Sequence, residues 1–146
     1  NYNELDGLPD ELGELQNLRF LYLASNHLST LPQALRSLKS LAYLNITHNG
    51  INALQEWIGA WDNLVELRMQ NNNVYSLPDS IGGLKQLKEL YAMNNQIRSL
   101  PQSIGYLGNL RKLMLENNQL TTLPDSIGCL DNLTDLDLRT NKLNSI

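Results

Sequence analysis

The chain has 146 residues, a formal net charge of -4 and a sequence pI near 5.0. This length suits a single domain, and the acidic balance argues against a nucleic-acid partner held mainly through phosphate contacts. The single cysteine, Cys129, excludes an internal disulfide, and no apolar run reaches the roughly 18 residues that a membrane span requires.

One pattern returns along the whole chain at an interval of 23 residues. Its unit reads LxxLxLxxNxL followed by xxLPxxIGxLxx, and residues 110–120 form the clearest copy. A repeat of fixed period predicts a solenoid in which each unit packs only against its neighbours. An asparagine stands at the same point of each copy, and we call this column the asparagine ladder: Asn26, Asn49, Asn72, Asn95, Asn118 and Asn141.

Residues 1–17 hold a turn and a convex segment, and the first of six predicted strands follows them. Side chains of a strand alternate between two faces, so Leu113 and Leu115 point to the core while Lys112, Met114 and Glu116 point outward. A unit that hides only one face cannot offset the entropy of its own ordering, so neighbours must stack into a parallel sheet. The ladder asparagine after each strand is predicted to bond backbone groups that have left the sheet.

Convex segments such as LPDSIGCL connect the strands, and their proline suits the first position of a short helix. The third segment has no proline and contains both tryptophans. By register Trp61 replaces a core leucine, whereas Trp57 stands where most copies have a small residue. Two interpretations remain open for this segment, which are local repacking of the core and an interaction site on the convex surface.

Candidate chemical groups are few. His27 and His48 follow adjacent strands, but the register brings no set of metal ligands or nucleophile to them, so they are interpreted as exposed turn residues. Asp131, Asp135 and Asp137 resemble a weak cation site, although surface ion pairing explains them better. We therefore predict no catalytic residue, no metal site and no cofactor.

The outward strand positions are free of packing constraints, yet they carry the only phenylalanine and three of the six tyrosines of the chain. Exposed aromatics and methionines with an interleaved arginine are typical of protein-binding hot spots. The sequence therefore predicts a protein partner on this face. The predicted contacts form a central cluster of Arg68, Tyr91, Met93 and Met114 and an N-terminal cluster of Phe20, Tyr22 and Tyr43; the N-terminal cluster could equally pack on a preceding turn.

The unit resembles the leucine-rich repeat in its 23-residue form, over the whole chain. The resemblance implies an α/β fold, a right-handed and curved leucine-rich-repeat solenoid with a parallel β-sheet on the concave face and short helical or irregular convex segments. The LPxxIGxLxxLxxL consensus is similar to that of intracellular scaffold proteins and many bacterial repeat proteins. It implies a non-catalytic protein-protein interaction module, such as a scaffold, adaptor or effector, in the cytoplasm or as a bacterial effector or surface protein.

Two alternatives to an independent binding module stay open. The chain could be the substrate-recognition domain of a larger enzyme, or a repeat fragment that assembles end to end. We expect a monomer or weak end-to-end association. The last turn stops at Leu143 and Ile146, where the next proline would follow. We therefore expect residues 1–146 to be a single domain of about six repeats from a longer chain, with both ends cut within a repeat.

Overall fold

The computed structural model describes residues 2–144, in which six short strands form one open parallel sheet in sequential order. The strands are β1 (Phe20–Tyr22), β2 (Tyr43–Asn45), β3 (Glu66–Arg68), β4 (Glu89–Tyr91), β5 (Lys112–Met114) and β6 (Asp135–Asp137). They alternate with six 3₁₀ helices, η1 (Asp10–Glu14), η2 (Gln33–Ser37), η3 (Glu56–Ala60), η4 (Asp79–Gly83), η5 (Gln102–Tyr106) and η6 (Asp125–Cys129).

Equivalent residues of successive repeats face each other across the sheet. Leu44 pairs with Leu67, and Leu67 pairs with Leu90, so neighbouring strands are offset by one repeat of the sequence. Each connection from one strand to the next passes through a 3₁₀ helix. The predicted α/β solenoid is therefore confirmed, with a parallel sheet on one side and short helical segments behind it.

The core lies between the sheet and the 3₁₀ helices. In β2 to β5 the middle residue is buried and the two flanking residues are half-buried, as the two-residue period of a strand requires. Leu44, Leu90 and Leu113 are fully buried in this way. The middle residues of the two outermost strands, Leu21 and Leu136, are less well covered. Apolar burial is therefore most complete in the central repeats, where each unit has a neighbour on both sides.

The prolines precede the 3₁₀ helices instead of opening them. Pro78 caps η4 and Pro101 caps η5, each with an extended backbone. The ring fixes φ near the helical value, but ψ near 150° places the residue just outside the helix, one position earlier than predicted.

The third convex segment is a repacked part of the core. Trp61 is fully buried, and its Nε1–H donates a hydrogen bond to the carbonyl oxygen of Leu35 at 2.9 Å. Trp57 is half-buried and packs edge-on against Trp61, with 5.3 Å between ring centroids. The structure thus supports the repacking interpretation over the convex interaction site.

At the C-terminal end, Leu143 packs against the core, whereas Ile146 lies outside the described residues. Across residues 2–144, no helix is long and apolar enough to cross a membrane.

Candidate functional site

The asparagine ladder fixes the turns that come after the strands. The Asn72 Oδ1 accepts a hydrogen bond from the N–H of Ile51 at 3.0 Å, and its Nδ2 donates to the carbonyl oxygens of Ile46 at 2.9 Å and Met69 at 3.0 Å. One side chain therefore satisfies backbone groups of two successive repeats, which leave the sheet at this point. The same pattern holds at Asn49, Asn95, Asn118 and Asn141. At Asn26 the partners are Leu5, Leu23 and Ala24.

The outward side chains of the six strands and of the residues just after them form one surface, which we call the concave face. Ala24 and Thr47 share the register of Glu116, which predicts that they point outward, but each is only 7% exposed. Both side chains are short and do not reach beyond their longer neighbours. The concave face comprises Phe20, Tyr22, Tyr43, Asn45, Glu66, Arg68, Gln70, Glu89, Tyr91, Met93, Lys112, Met114, Glu116, Asp135, Asp137 and Arg139.

The N-terminal cluster is a contiguous aromatic surface on β1 and β2. The Tyr43 ring centroid lies 5.0 Å from that of Tyr22 and 6.5 Å from that of Phe20. Phe20 and Tyr22 are each 56% exposed, whereas Tyr43 is half-buried between neighbours. Tilted aromatic pairs at these distances attract one another, so the rings hold each other in place while their outer faces remain open to solvent.

Arg68 is the residue of the central cluster that contacts this aromatic surface. Its guanidinium carbon lies 4.9 Å from the Tyr91 ring centroid and 6.0 Å from the Tyr43 ring centroid, within the range of cation–π attraction. The Nε–H donates to the Glu66 carboxylate at 2.5 Å. This hydrogen bond raises the pKa of Arg68 further above its ordinary value, so the side chain is always charged. The guanidinium is thus held from three sides.

A second network orders the ring of Tyr91. Its hydroxyl donates to the Glu89 carboxylate at 2.6 Å, and the Lys112 ammonium lies 3.4 Å from the other Glu89 oxygen. The hydrogen bond from Tyr91, followed by the contact with Lys112, lowers the pKa of Glu89, and the same bond raises the pKa of Tyr91. Glu89 is therefore ionised and Tyr91 neutral at neutral pH, which keeps the bond in place.

The two methionines complete the central cluster. Met114 pairs with Tyr91 in the register of β4 and β5, and Met93 lies two residues beyond Tyr91. Both are half-buried, so part of each thioether side chain is available for contact. Methionine is unbranched and polarizable, and it adapts its shape to irregular partners. The structure places both predicted clusters on the same face, where Arg68 of the central cluster lies over the ring of Tyr43 in the N-terminal cluster.

The remaining candidate groups are the two histidines, which lie in turns outside this face, and the aspartates near the C-terminal end. His27 and His48 are exposed, and the Nε2 of His48 lies 3.1 Å from the Nδ2 of Asn71. Asp137 forms an ion pair with Arg139 at 2.7 Å. Among residues 2–144 no group of three possible metal ligands is found.

The sequence analysis did not identify one row of polar residues, which lies in the turns after the strands. The residue before each ladder asparagine has a left-handed backbone, with φ between 52° and 58°. Asparagine tolerates this conformation better than most residues, so the recurring Asn-Asn pairs were an available signal. Three contacts link the row: the 3.1 Å contact of Asn71 with His48, a bond from Asn94 Nδ2 to Asn71 Oδ1 at 2.8 Å, and one from Asn117 Nδ2 to Asn94 Oδ1 at 2.9 Å. The row comprises Ser25, His48, Asn71, Asn94, Asn117 and Thr140.

Comparison with known proteins identifies the repeat type. The family model described as a leucine-rich repeat region matches residues 6–95 and 59–146. The structure is similar to that of a leucine-rich repeat (LRR) protein from Leptospira interrogans, with a TM-score of 0.95 and 33% sequence identity over 99% of this chain. The match covers 37% of that protein, so the chain spans less than half of its length. In all, 321 solved chains match, which identifies a widely used fold and not one role. None of the curated proteins compared with the chain matches it.

Proposed function

Because this chain belongs to the leucine-rich repeat family, we propose that it is a non-catalytic protein-protein interaction module that binds a protein partner on its concave face. Protein binding is the usual role of this fold, and the family is typically not enzymatic. The proposal assigns the contact to the central and N-terminal clusters, which are Arg68, Tyr91, Met93, Met114, Phe20, Tyr22 and Tyr43.

The observation that carries this proposal is the ordered arrangement of Arg68 between Tyr43 and Tyr91. Tyrosine and arginine are enriched among the residues that dominate binding energies. Side chains that already hold their positions lose little conformational entropy when a partner binds. These three residues lie outside the core, so packing alone does not account for their identity.

A second candidate function is the recognition domain of a larger protein, which could carry an enzymatic domain elsewhere. The observation that favours it is that the chain covers only 37% of the similar protein from Leptospira interrogans. The concave face would bind a substrate protein in that case. The two functions use the same surface and differ only in the fate of the bound protein.

Affinity capture from a lysate of the organism that encodes the chain tests the proposal. The wild-type chain is compared with Tyr91→Asp/Met114→Asp, which places two charges on the concave face. The matched control is Tyr75→Asp/Tyr106→Asp, at residues that are 51% and 68% exposed and lie outside that face. We expect a protein that is retained by the wild type and the control and lost from the concave variant. Retention by all three chains, or loss from the control alone, would contradict the proposal.

A further inference from the structure

The residues immediately before the strands form a second ordered row, beside the concave face. The N–H of Ala42 donates to the carbonyl oxygen of Arg19 at 2.8 Å, and the N–H of Val65 donates to the carbonyl oxygen of Ala42 at the same distance. The bonds continue at 2.8 to 2.9 Å through the remaining repeats, so the backbone at each of these positions is fixed one strand apart from the next. We call this the pre-strand row: Arg19, Ala42, Val65, Lys88, Arg111 and Thr134.

Short side chains interrupt this row and leave a groove. Ala42 and Val65 stand between the long side chains of Arg19 and Lys88, and both are half-buried. The groove has a volume of about 400 Å³. Its lining residues are Arg19, Ser40, Ala42, Asn63, Val65 and Gln86. The side chain of Asn63 is fixed by a hydrogen bond from its Nδ2 to the carbonyl oxygen of Lys39 at 2.9 Å. The groove thus has an aliphatic floor and a polar rim.

The cations of the pre-strand row differ from those of the concave face in their pairing. The ion pairs found among residues 2–144 all use Arg68, Lys112 or Arg139, which lie on the concave face. Arg19, Lys88 and Arg111 are exposed and form no ion pair in that part of the chain. The chain has more acidic than basic residues, yet these three cations have no acidic partner among the described residues. Arg19 lines the groove, with its guanidinium carbon 5.7 Å from the Phe20 ring centroid, and Lys88 and Arg111 follow Val65 in the row.

We propose that this groove binds an acidic peptide segment of a partner protein. One apolar side chain of the segment rests on Ala42 and Val65, and carboxylates on either side of it meet Arg19 and Lys88. Arg19 and Lys88 stand three strands apart, which is roughly 14 Å at the usual spacing of strands. An extended peptide covers this distance in about four residues. The groove therefore fits the pattern acidic-x-apolar-x-acidic.

The aliphatic floor favours a peptide over a nucleic acid. Single-stranded nucleic acids bind through aromatic side chains on which the bases stack, and the groove lining has none. Complementary charge raises the rate of association and selects the partner, while the buried apolar side chain adds affinity. The proposal concerns a surface beside the concave face and does not depend on what that face binds.

Nuclear magnetic resonance titration of the uniformly nitrogen-15-labelled chain tests the proposal. The probe is the acetylated and amidated peptide Glu-Ser-Leu-Ser-Glu, with Lys-Ser-Leu-Ser-Lys and Glu-Ser-Ser-Ser-Glu as control peptides. We expect saturable shifts of the Ala42 and Val65 amide signals with the first peptide only, and weaker binding as salt is added. Arg19→Glu should weaken binding about tenfold, since it places like charges opposite each other. Arg98→Glu, a change of an exposed cation outside the row, should leave binding unchanged.

The titration also separates this proposal from the proposed function. The concave variant Tyr91→Asp/Met114→Asp should bind the peptide as the wild type does, whether or not the concave face has a partner. Absence of shifts at Ala42 and Val65, equal shifts with the basic peptide, or shifts confined to the concave face would overturn the proposal. Preferential shifts with oligothymidylate would overturn it in favour of a nucleic-acid site.

Discussion

Asn72 and Asn73 are adjacent in one turn, yet Asn72 has a structural role and Asn73 lies on the surface. Asn72 is buried and bonds the backbone of two repeats. Asn73 is exposed, and its Oδ1 accepts one long hydrogen bond from Gln96 at 3.5 Å. Both residues are asparagine, so any difference in their contributions to stability must come from their surroundings.

Replacing Asn72 by alanine should lower the free energy of unfolding by about 1 to 3 kcal/mol, because buried backbone groups lose their partners. Replacing Asn73 by alanine is the matched control and should change stability by less than about 0.5 kcal/mol. Urea denaturation followed by circular dichroism measures both. Equal effects of the two changes would mean that the ladder does not support the turns.

The network of Tyr91 predicts a pH dependence. The pKa of Glu89 is lowered, first by the hydrogen bond from Tyr91, so its contribution to stability is present above the ordinary glutamate range and is lost as pH falls through the folded value. Tyr91→Phe should raise the pKa of Glu89 toward the ordinary range. Carbon-13 resonances of the carboxyl groups measure this shift. The pKa of Asp137, which is lowered by Arg139, should not change in the same variant.

The sequence predicted single residues well where periodicity constrains them. The asparagine ladder recurs at a fixed interval, and its position after a strand was enough to predict that it bonds backbone groups leaving the sheet. The stacking of Arg68 on two tyrosine rings was not predictable, because it depends on side-chain directions that no sequence period fixes. The burial of Thr47 was missed for the same reason.

The 3₁₀ helices of neighbouring repeats pack so closely that most repeats need glycine at one position. A Cβ added to Gly105 would lie 2.6 Å from the carbonyl oxygen of Ser126, which is closer than real contacts allow. Gly128 occupies the same register in the next repeat, and a Cβ there would meet nothing within 4 Å in the described part of the chain. In the second repeat Arg36 takes this position and by register faces Trp57 instead of a serine. The interface between η2 and η3 therefore accommodates two large side chains, Arg36 and Trp57. The other helix interfaces have glycine at the position of Arg36.

Gly105→Ala should destabilise the chain by about 1 to 3 kcal/mol, since the backbone of η5 or η6 must move to make room. Gly128→Ala should be neutral or slightly stabilising, because alanine has less freedom in the unfolded chain. Thermal unfolding of the two variants compares them directly. A loss of stability at Gly128 as large as at Gly105 would contradict the role assigned to helix packing.

The sequence predicted the number and order of the strands and helices, but not the type of helix or the exact position of the proline. The LxL pattern gave six strands, and the convex segments gave the short helices that join them. Whether these helices would be 3₁₀ or α-helical, and whether the proline would open or precede them, depends on ψ at one residue. A repeat pattern does not determine that angle.

At the scale of the whole molecule, the alternation of side chains in each strand separates the residues that stabilise the repeats from the residues that face outward. Inward residues such as Leu90 are fully buried and bind one repeat to the next, whereas outward residues such as Tyr91 contact mainly their neighbours on the surface. The sequence period predicted this separation and the architecture that results from it. It could not predict the partner, because a partner is selected by the arrangement of surface side chains and not by the period.

Adjacent substitutions in β4 test this separation. Leu90→Asp should unfold the central repeats, because it places an unpaired charge in the core. Tyr91→Asp should leave the circular dichroism spectrum and the midpoint of denaturation close to those of the wild type. Unfolding of the Tyr91 variant would contradict its assignment to the concave face.

The measurement that tests the central claim most directly is oxidative footprinting of the three methionines in the chain, with and without a captured partner. Met93 and Met114 are partly exposed on the concave face, and Met69 is fully buried and serves as an internal reference. Hydroxyl radicals convert methionine to its sulfoxide and hydroxylate exposed tyrosine rings, and mass spectrometry detects both products. In the complex we expect protection of Met93 and Met114 with no change at Met69 or at the exposed Tyr106. Unchanged oxidation of both concave methionines, with protection of Tyr106, would place the partner on the convex side and contradict the account.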